Sequence, residues 1–117
     1  MGQCYTVEAK LSFASKEKEQ EFCSIINSMI EEMDGKSADF GDISTVDRTT
    51  PFGCFLAVTT NYPHQFGQTD GVWYADFHGS YGWEGVMETI FSKAIKACAK
   101  GSKFTVYPDN GHWTIRR

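Results

Sequence analysis

The sequence lacks most of the features that announce a function. Its 117 residues include only three prolines, and no internal repeat, linker or low-complexity tract appears. No apolar run approaches the ~18 residues of a membrane-spanning helix, so no membrane is expected. No basic-then-apolar leader opens the chain, and the expected location is cytoplasmic. The four cysteines, Cys4, Cys23, Cys54 and Cys98, are far apart, and no C-x-x-C occurs. Zinc modules bring their ligands in close pairs on short turns, so no metal and no cofactor is expected. In a reducing compartment, four thiols are expected rather than two disulfides. Spacing leaves open whether any of them approach, Cys4 and Cys54 across a sheet included. Basic residues are also scarce: eleven Lys and Arg stand against fifteen Asp and Glu, a net charge of −4. An acidic chain is repelled by phosphate backbones, so direct nucleic-acid binding is not expected.

What the sequence does have is the composition of one folded domain spanning residues 1–117. Hydrophobic residues make up 41% and charged residues 22%, which excludes a mostly disordered chain. A chain of this size buries roughly two thirds of its unfolded surface. The acidic excess is concentrated. Glu31, Glu32, Asp34, Asp39, Asp42 and Asp47 are interrupted only by Lys36 among basic residues. The natural partner of such a stretch is a protein with a basic surface. Tyr62 and Phe66, unusual in a bare connector, are its candidate neighbours.

Hydrophobic periodicity sets the expected elements. Residues 4–13 alternate, with Tyr5, Val7, Ala9, Leu11 and Phe13 on one side, as in a half-buried strand. Ser15 is placed to cap a helix with Glu17, Glu19 and Glu21 in its first turns, where the dipole favours anions. Phe22, Ile25, Ile26, Met29, Ile30 and Met33 form its buried stripe, and Gly35 ends it. Ile43 and Val46 suggest a short strand. Residues 54–60 are apolar and β-prone, which predicts a strand buried on most of both faces. Residues 61–70 read as a loop, with His64 exposed in it. Residues 72–78 alternate again. Ser80 is then expected to cap a second helix carrying Trp83, Val86, Met87, Ile90, Phe91, Ala94, Ile95 and Cys98, stopped by Gly101. Residues 103–107 and 112–116 form a hairpin around Asn110-Gly111, a pair suited to the positive φ angles of a tight turn.

The order β-α-β-β-α-β-β predicts an α+β fold. It is a ferredoxin-like β-α-β-β-α-β sandwich with an added C-terminal strand, an antiparallel sheet carrying two helices on one face. Its open face would carry Thr6, Glu8, Lys10, Tyr74, Asp76, His78, Thr105, Tyr107, Thr114 and Arg116.

Several chemistries can be weighed against this frame. His78-Gly79-Ser80-Tyr81-Gly82 has the strand–serine–helix layout of a nucleophile elbow. Glycine is missing two residues before the serine, and the chain is too short for the parallel sheet the elbow needs. Gly79, Gly82 and Gly85 could expose amides to an anion at a helix start, but the Lys-Ser/Thr ending of a phosphate loop is absent. Met1-Gly2-Gln3-Cys4-Tyr5-Thr6 formally fits a myristoylation signal, yet Gly2 runs straight into a strand with no basic cluster after it. Asp34, Asp39 and Asp42 lack the spacing of a calcium loop. Asp76, His78 and Glu8 share a sheet face and are the weak catalytic candidates, His78 as base and an acid to orient it, with His112 as a further ligand were a metal involved.

The resulting expectation is a small binding or regulatory domain, not an enzyme with a known signature. Glu31, Glu32, Asp34, Asp39, Asp42, Asp47, Tyr62 and Phe66 are the candidate contacts to a basic protein, such as a nucleic-acid enzyme held in check. The alternative is a small-molecule site or active site on the sheet face at Tyr74, Asp76, His78, Tyr107 and Ser80. The last strand is also a candidate sheet edge through which a homodimer could pair.

Overall fold

A computed structural model describes residues 2–59 and 65–117; the expectations for Tyr62 and His64 lie outside those residues. The first alternating segment forms strand β1, Gly2–Lys10, with Tyr5, Val7 and Ala9 buried. It is the middle strand of a five-stranded antiparallel sheet. The other strands are β2 (Phe66–Thr69), β3 (Val72–Ser80), β4 (Lys103–Tyr107) and β5 (Trp113–Arg116), in the order β2-β3-β1-β4-β5. Val7 pairs with Ala75 on one side and with Val106 on the other. A side chain at Gly2 would stand 2.7 Å from the Gly79 carbonyl oxygen, so close approach of two strands accounts for this glycine.

Two turns differ from expectation. The tight positive-φ pair is Asp70-Gly71, at φ 52° and 77°, which joins β2 to β3 with Thr69 opposite Val72. This is the Asp-Gly signal of a two-residue hairpin, and it turns part of the expected 61–70 loop into a strand. In the 107–112 connection only Gly111 takes a positive φ, and the loop is wider than a two-residue Asn-Gly turn.

Helix α1, Lys16–Met33, begins as expected, with the Ser15 hydroxyl accepting the Lys18 N–H at 3.2 Å. It ends at Met33, with Gly35 at φ 78° just beyond. Ile43 and Val46 form no strand; they lie in turns and rest against the core. The main correction is at 54–59, residue 60 of the expected strand lying outside the described residues. Pro51–Thr59 is a helix, α2, with every residue from Gly53 to Thr59 buried. Thr50 caps it, its Oγ1 accepting the Gly53 N–H at 3.1 Å, and Pro51 occupies the first helical position, where its missing N–H costs nothing. Helix α3, Trp83–Ala94, continues into a 3₁₀ turn at Ile95–Ala97. Ser80 does not cap it. Strand β3 runs through Ser80, and Gly82 is the cap residue with no side-chain bond.

All three helices meet the same face of the sheet, and Phe104 of β4 shows this directly. Its ring stacks on Phe91 of α3 at 4.1 Å between centroids and lies 6.4 Å from both Phe22 of α1 and Phe55 of α2. The Trp83 indole donates to the Val58 carbonyl at 2.9 Å, joining the start of α3 to α2. Among the described residues the fold is therefore α+β, a five-stranded antiparallel sheet covered on one face by three helices where two were expected. No helix is long and apolar enough to cross a membrane among the described residues.

Candidate functional site

Among the described residues no helix covers the opposite face of the sheet, and the register fixes what it displays. Directly opposed residues point to the same side, so each row across the strands is a set of neighbours. One row runs Gly67, Tyr74, Glu8, Thr105, Thr114. The next holds Asp76, Thr6 and Tyr107, and beyond it His78 faces Cys4. The face expected from alternation is thus assembled. Tyr74 lies across the neighbouring glycine: a side chain at Gly67 would meet its hydroxyl at 3.0 Å.

The three weak catalytic candidates share this face, and each has its own cross-strand partner. The Asp76 carboxylate accepts the Thr6 hydroxyl at 2.7 Å. Glu8 accepts from the Tyr107 phenol, which pushes the pKa of that phenol up. The His78 ring lies beside the Cys4 sulfur, 3.5 Å from Nδ1 and 3.7 Å from Nε2. His112 rests against the Tyr107 ring, centroids 5.6 Å apart. Among the described residues, no three His, Cys, Asp or Glu side chains converge as a metal site. Ser80 is exposed at the end of β3, where its carbonyl accepts the Tyr5 hydroxyl at 2.8 Å. His78, Gly79, Ser80 and Gly82 line a cavity of about 580 Å³ at the end of the sheet, together with Asp39 and the apolar Trp83 and Val86.

The cysteines divide sharply. Cys54 is on α2 and not across the sheet from Cys4; its thiol interacts with Cys23 of α1 and donates to the Arg48 carbonyl at 3.2 Å. Burial pushes the thiols of Cys23 and Cys54 up, and that of Cys98 up to about 12. All four are free, and only Cys4 is exposed. A thiol reagent applied to the native protein is expected to titrate one group quickly and the other three only on the timescale of unfolding. Two or more fast thiols would contradict this arrangement.

The acidic stretch forms the surface after α1. All six of its carboxylate residues are exposed. Asp39 accepts the Gly41 N–H, Asp42 accepts the Ser44 N–H and hydroxyl, and Asp47 accepts the Thr49 N–H and hydroxyl. These bonds from Ser44 and Thr49 hold the pKa of Asp42 and Asp47 below the ordinary value. Their contribution is complete above the unfolded carboxylate range and is lost as pH falls through the lowered values. Phe40, fully buried, anchors the loop by an edge contact to Trp83 at 5.1 Å. Phe66 lies on edge strand β2 opposite Ala75 and is 45% exposed. Pattern reading did not single out Phe40, because an isolated apolar residue in a polar segment has no periodicity to support it.

No protein-family model matches the chain, and neither the curated proteins nor the solved structures contain a significant match.

Proposed function

We propose that the protein is a small binding domain that presents its acidic surface, from Glu31 to Asp47, to a protein with a basic surface. The role suited to such a surface is that of an inhibitor or neutralising partner, for instance of a nucleic-acid enzyme, in the cytoplasm. The observation that carries this reading is the charge placement at the end of α1. Glu31 and Glu32 lie in its last turn and Asp34 is its C-cap, with no basic residue in that turn. A helix C-terminus carries the negative end of the dipole, so anions there oppose helix stability. Among the described residues none of the six carboxylates has an ion-pair partner; the only such pair is Lys18–Glu21. The Asx turns support the reading further, because carboxylates already fixed in place lose less entropy on binding.

We read the chain as a variant of the ferredoxin-like sandwich. Its support is that β3 and β4 both run antiparallel to β1 on its two sides and are joined by α3. Helix α2 and strand β5 are then additions to the two-helix, four-strand plan. The exposed edge at β5 is the surface for a homodimer, should the domain self-associate. The Arg117 N–H donates to the Ser102 carbonyl, so alternate residues bond inward and the Thr114 N–H faces out.

The test uses the protein as bait for its partner at low and at high salt, alongside a variant with Glu31→Lys, Glu32→Lys, Asp39→Asn and Asp42→Asn. Asparagine keeps the carbonyl that accepts the turn N–H, so the loop is retained while charge is lost. A stoichiometric basic partner is expected, released at high salt, with affinity for the variant at least about tenfold lower. A partner held equally by both baits, or no partner at low salt, would overturn the proposal.

A further inference from the structure

We propose that the open sheet face contains a binding site for a multivalent oxyanion of the phosphate class, centred on Lys10, Lys103 and Arg116. The register places Lys10 opposite Lys103 and Lys103 opposite Arg116, on three adjacent strands. Opposed residues share a face, so three cations form one unbroken row across β1, β4 and β5. Directly opposed like charges destabilise a sheet. Lys103 and Arg116 form a non-hydrogen-bonded pair, as the Arg117 to Ser102 bond requires, and such pairs bring their side chains closest. In a chain with four more acidic than basic residues, carboxylates to neutralise the row are plentiful. None does so: among the described residues Lys10, Lys103 and Arg116 have no ion-pair partner. The row holds a concentrated positive charge that the folded protein itself leaves unanswered.

A hollow of about 200 Å³ lies beside this row, lined by Lys10, Lys103, Val72, Glu8, Thr105 and Tyr107. Its size suits a phosphate-sized group. Thr105 is only 8% exposed, and its hydroxyl meets that of Thr114 at 3.4 Å. That pair has two hydroxyl protons and uses one between its members. The other has no acceptor among the described residues, so when Thr114 donates to Thr105 the Thr105 hydroxyl is a free donor at the site. Glu8 is the one anion in the hollow, and it is engaged by the Tyr107 phenol. Two lysines stand against one carboxylate in the hollow, and Arg116, opposite Lys103 just outside its lining, brings the excess to two positive charges, matched to a dianion. Arg116 adds a planar fork that suits phosphate oxygens, and the lysines add point charges. This site is separate from the acidic surface and does not depend on the function proposed for it.

The experiment is an amide NMR titration at constant ionic strength, with inorganic phosphate and phenyl phosphate as probes and chloride as the balancing anion. Saturable shifts are expected at residues 10, 103, 105 and 116 with at least one probe. Tighter binding of phenyl phosphate would assign the ligand as a phosphomonoester; equal or weaker binding would assign the free ion. Lys103→Gln is expected to weaken binding at least about tenfold and, without ligand, to raise Tm by removing the central repulsion. Lys36→Gln, away from the row, should leave binding unchanged. No saturable shift with either probe would overturn the proposal, as would equal binding by Lys103→Gln. So would saturation by polyglutamate alone, which would assign the row to an acidic protein segment.

Discussion

Gly53→Ala is expected to destabilise the protein by about 3 kcal/mol, although helix propensity alone predicts a gain of roughly 1 kcal/mol for the same change. The sign reverses because of what lies against the helix. A side chain at Gly53 would stand 1.6 Å from the Asp47 carbonyl oxygen and 2.5 Å from its carbon. Those are backbone atoms, and no rotamer change can move them. The loop is fixed there by the Asp47 side chain bonding Thr49 and by the Thr50 cap on Gly53. Either the end of the acidic loop or the first turn of α2 must shift. Chemical denaturation reads the effect as a lower midpoint. A Gly53→Ala protein as stable as the parent would show that the loop does not cross α2 at this point.

The second large effect is expected from Phe104→Ala, which should cost about 3–5 kcal/mol. Phe104 is fully buried and is the ring that α1, α2 and α3 all approach. Its loss opens a cavity bounded by side chains from three helices and a strand, which cannot all collapse into it. At roughly 4 °C per kcal/mol, Tm should fall by about 12–20 °C. Tyr107→Ala is the matched control, on the same strand but 39% exposed on the open face. Its cost is expected to stay near 0.5 kcal/mol, as for a surface side chain. Equal costs for the two variants would contradict the assignment of inner and outer faces.

Strands β1, β3, β4 and β5 and two of the helices are legible in the sequence, because each follows the period of an element with one buried side. Tyr5, Val7 and Ala9 alternate, as do Ala75 and Phe77, and the stripe from Phe22 to Ile30 follows the helical period. Helix α2 escaped that logic because it is buried all round from Gly53 to Thr59. A short run apolar on every side has no period, and its β-prone residues then favour the wrong element. The usable signal lay at its edge, in Thr50-Pro51, a cap residue followed by a proline suited to the first helical turn. Asp70-Gly71 was a similar local signal for the β2–β3 hairpin, overshadowed by Asn110-Gly111. Ser80 failed as a cap for a different reason. Its strand continues to pair with Gly2, and pairing overrides the side chain's capping preference.

The open face was legible as a set of residues but not as a set of neighbours. Alternation placed Glu8, Asp76 and His78 on one side, yet only register shows that Thr6 meets Asp76 and that His78 meets Cys4. The cationic row has the same origin. Lys10, Lys103 and Arg116 are far apart in sequence, and their alignment follows from two strand pairings that no local pattern encodes.

The central position of β1 also governs the order of events during synthesis. Val7 emerges from the ribosome well before its partners Ala75 and Val106. The middle of the sheet therefore waits until β3 and β4 have been made, while α1 can form from neighbours in sequence. A nascent chain stopped before β4 exposes the apolar side of β1 with one flank unpaired, a template for pairing with another chain. Only with Lys103–Tyr107 in place does that flank close, so the sheet is protected late in its own synthesis although its middle strand is made first.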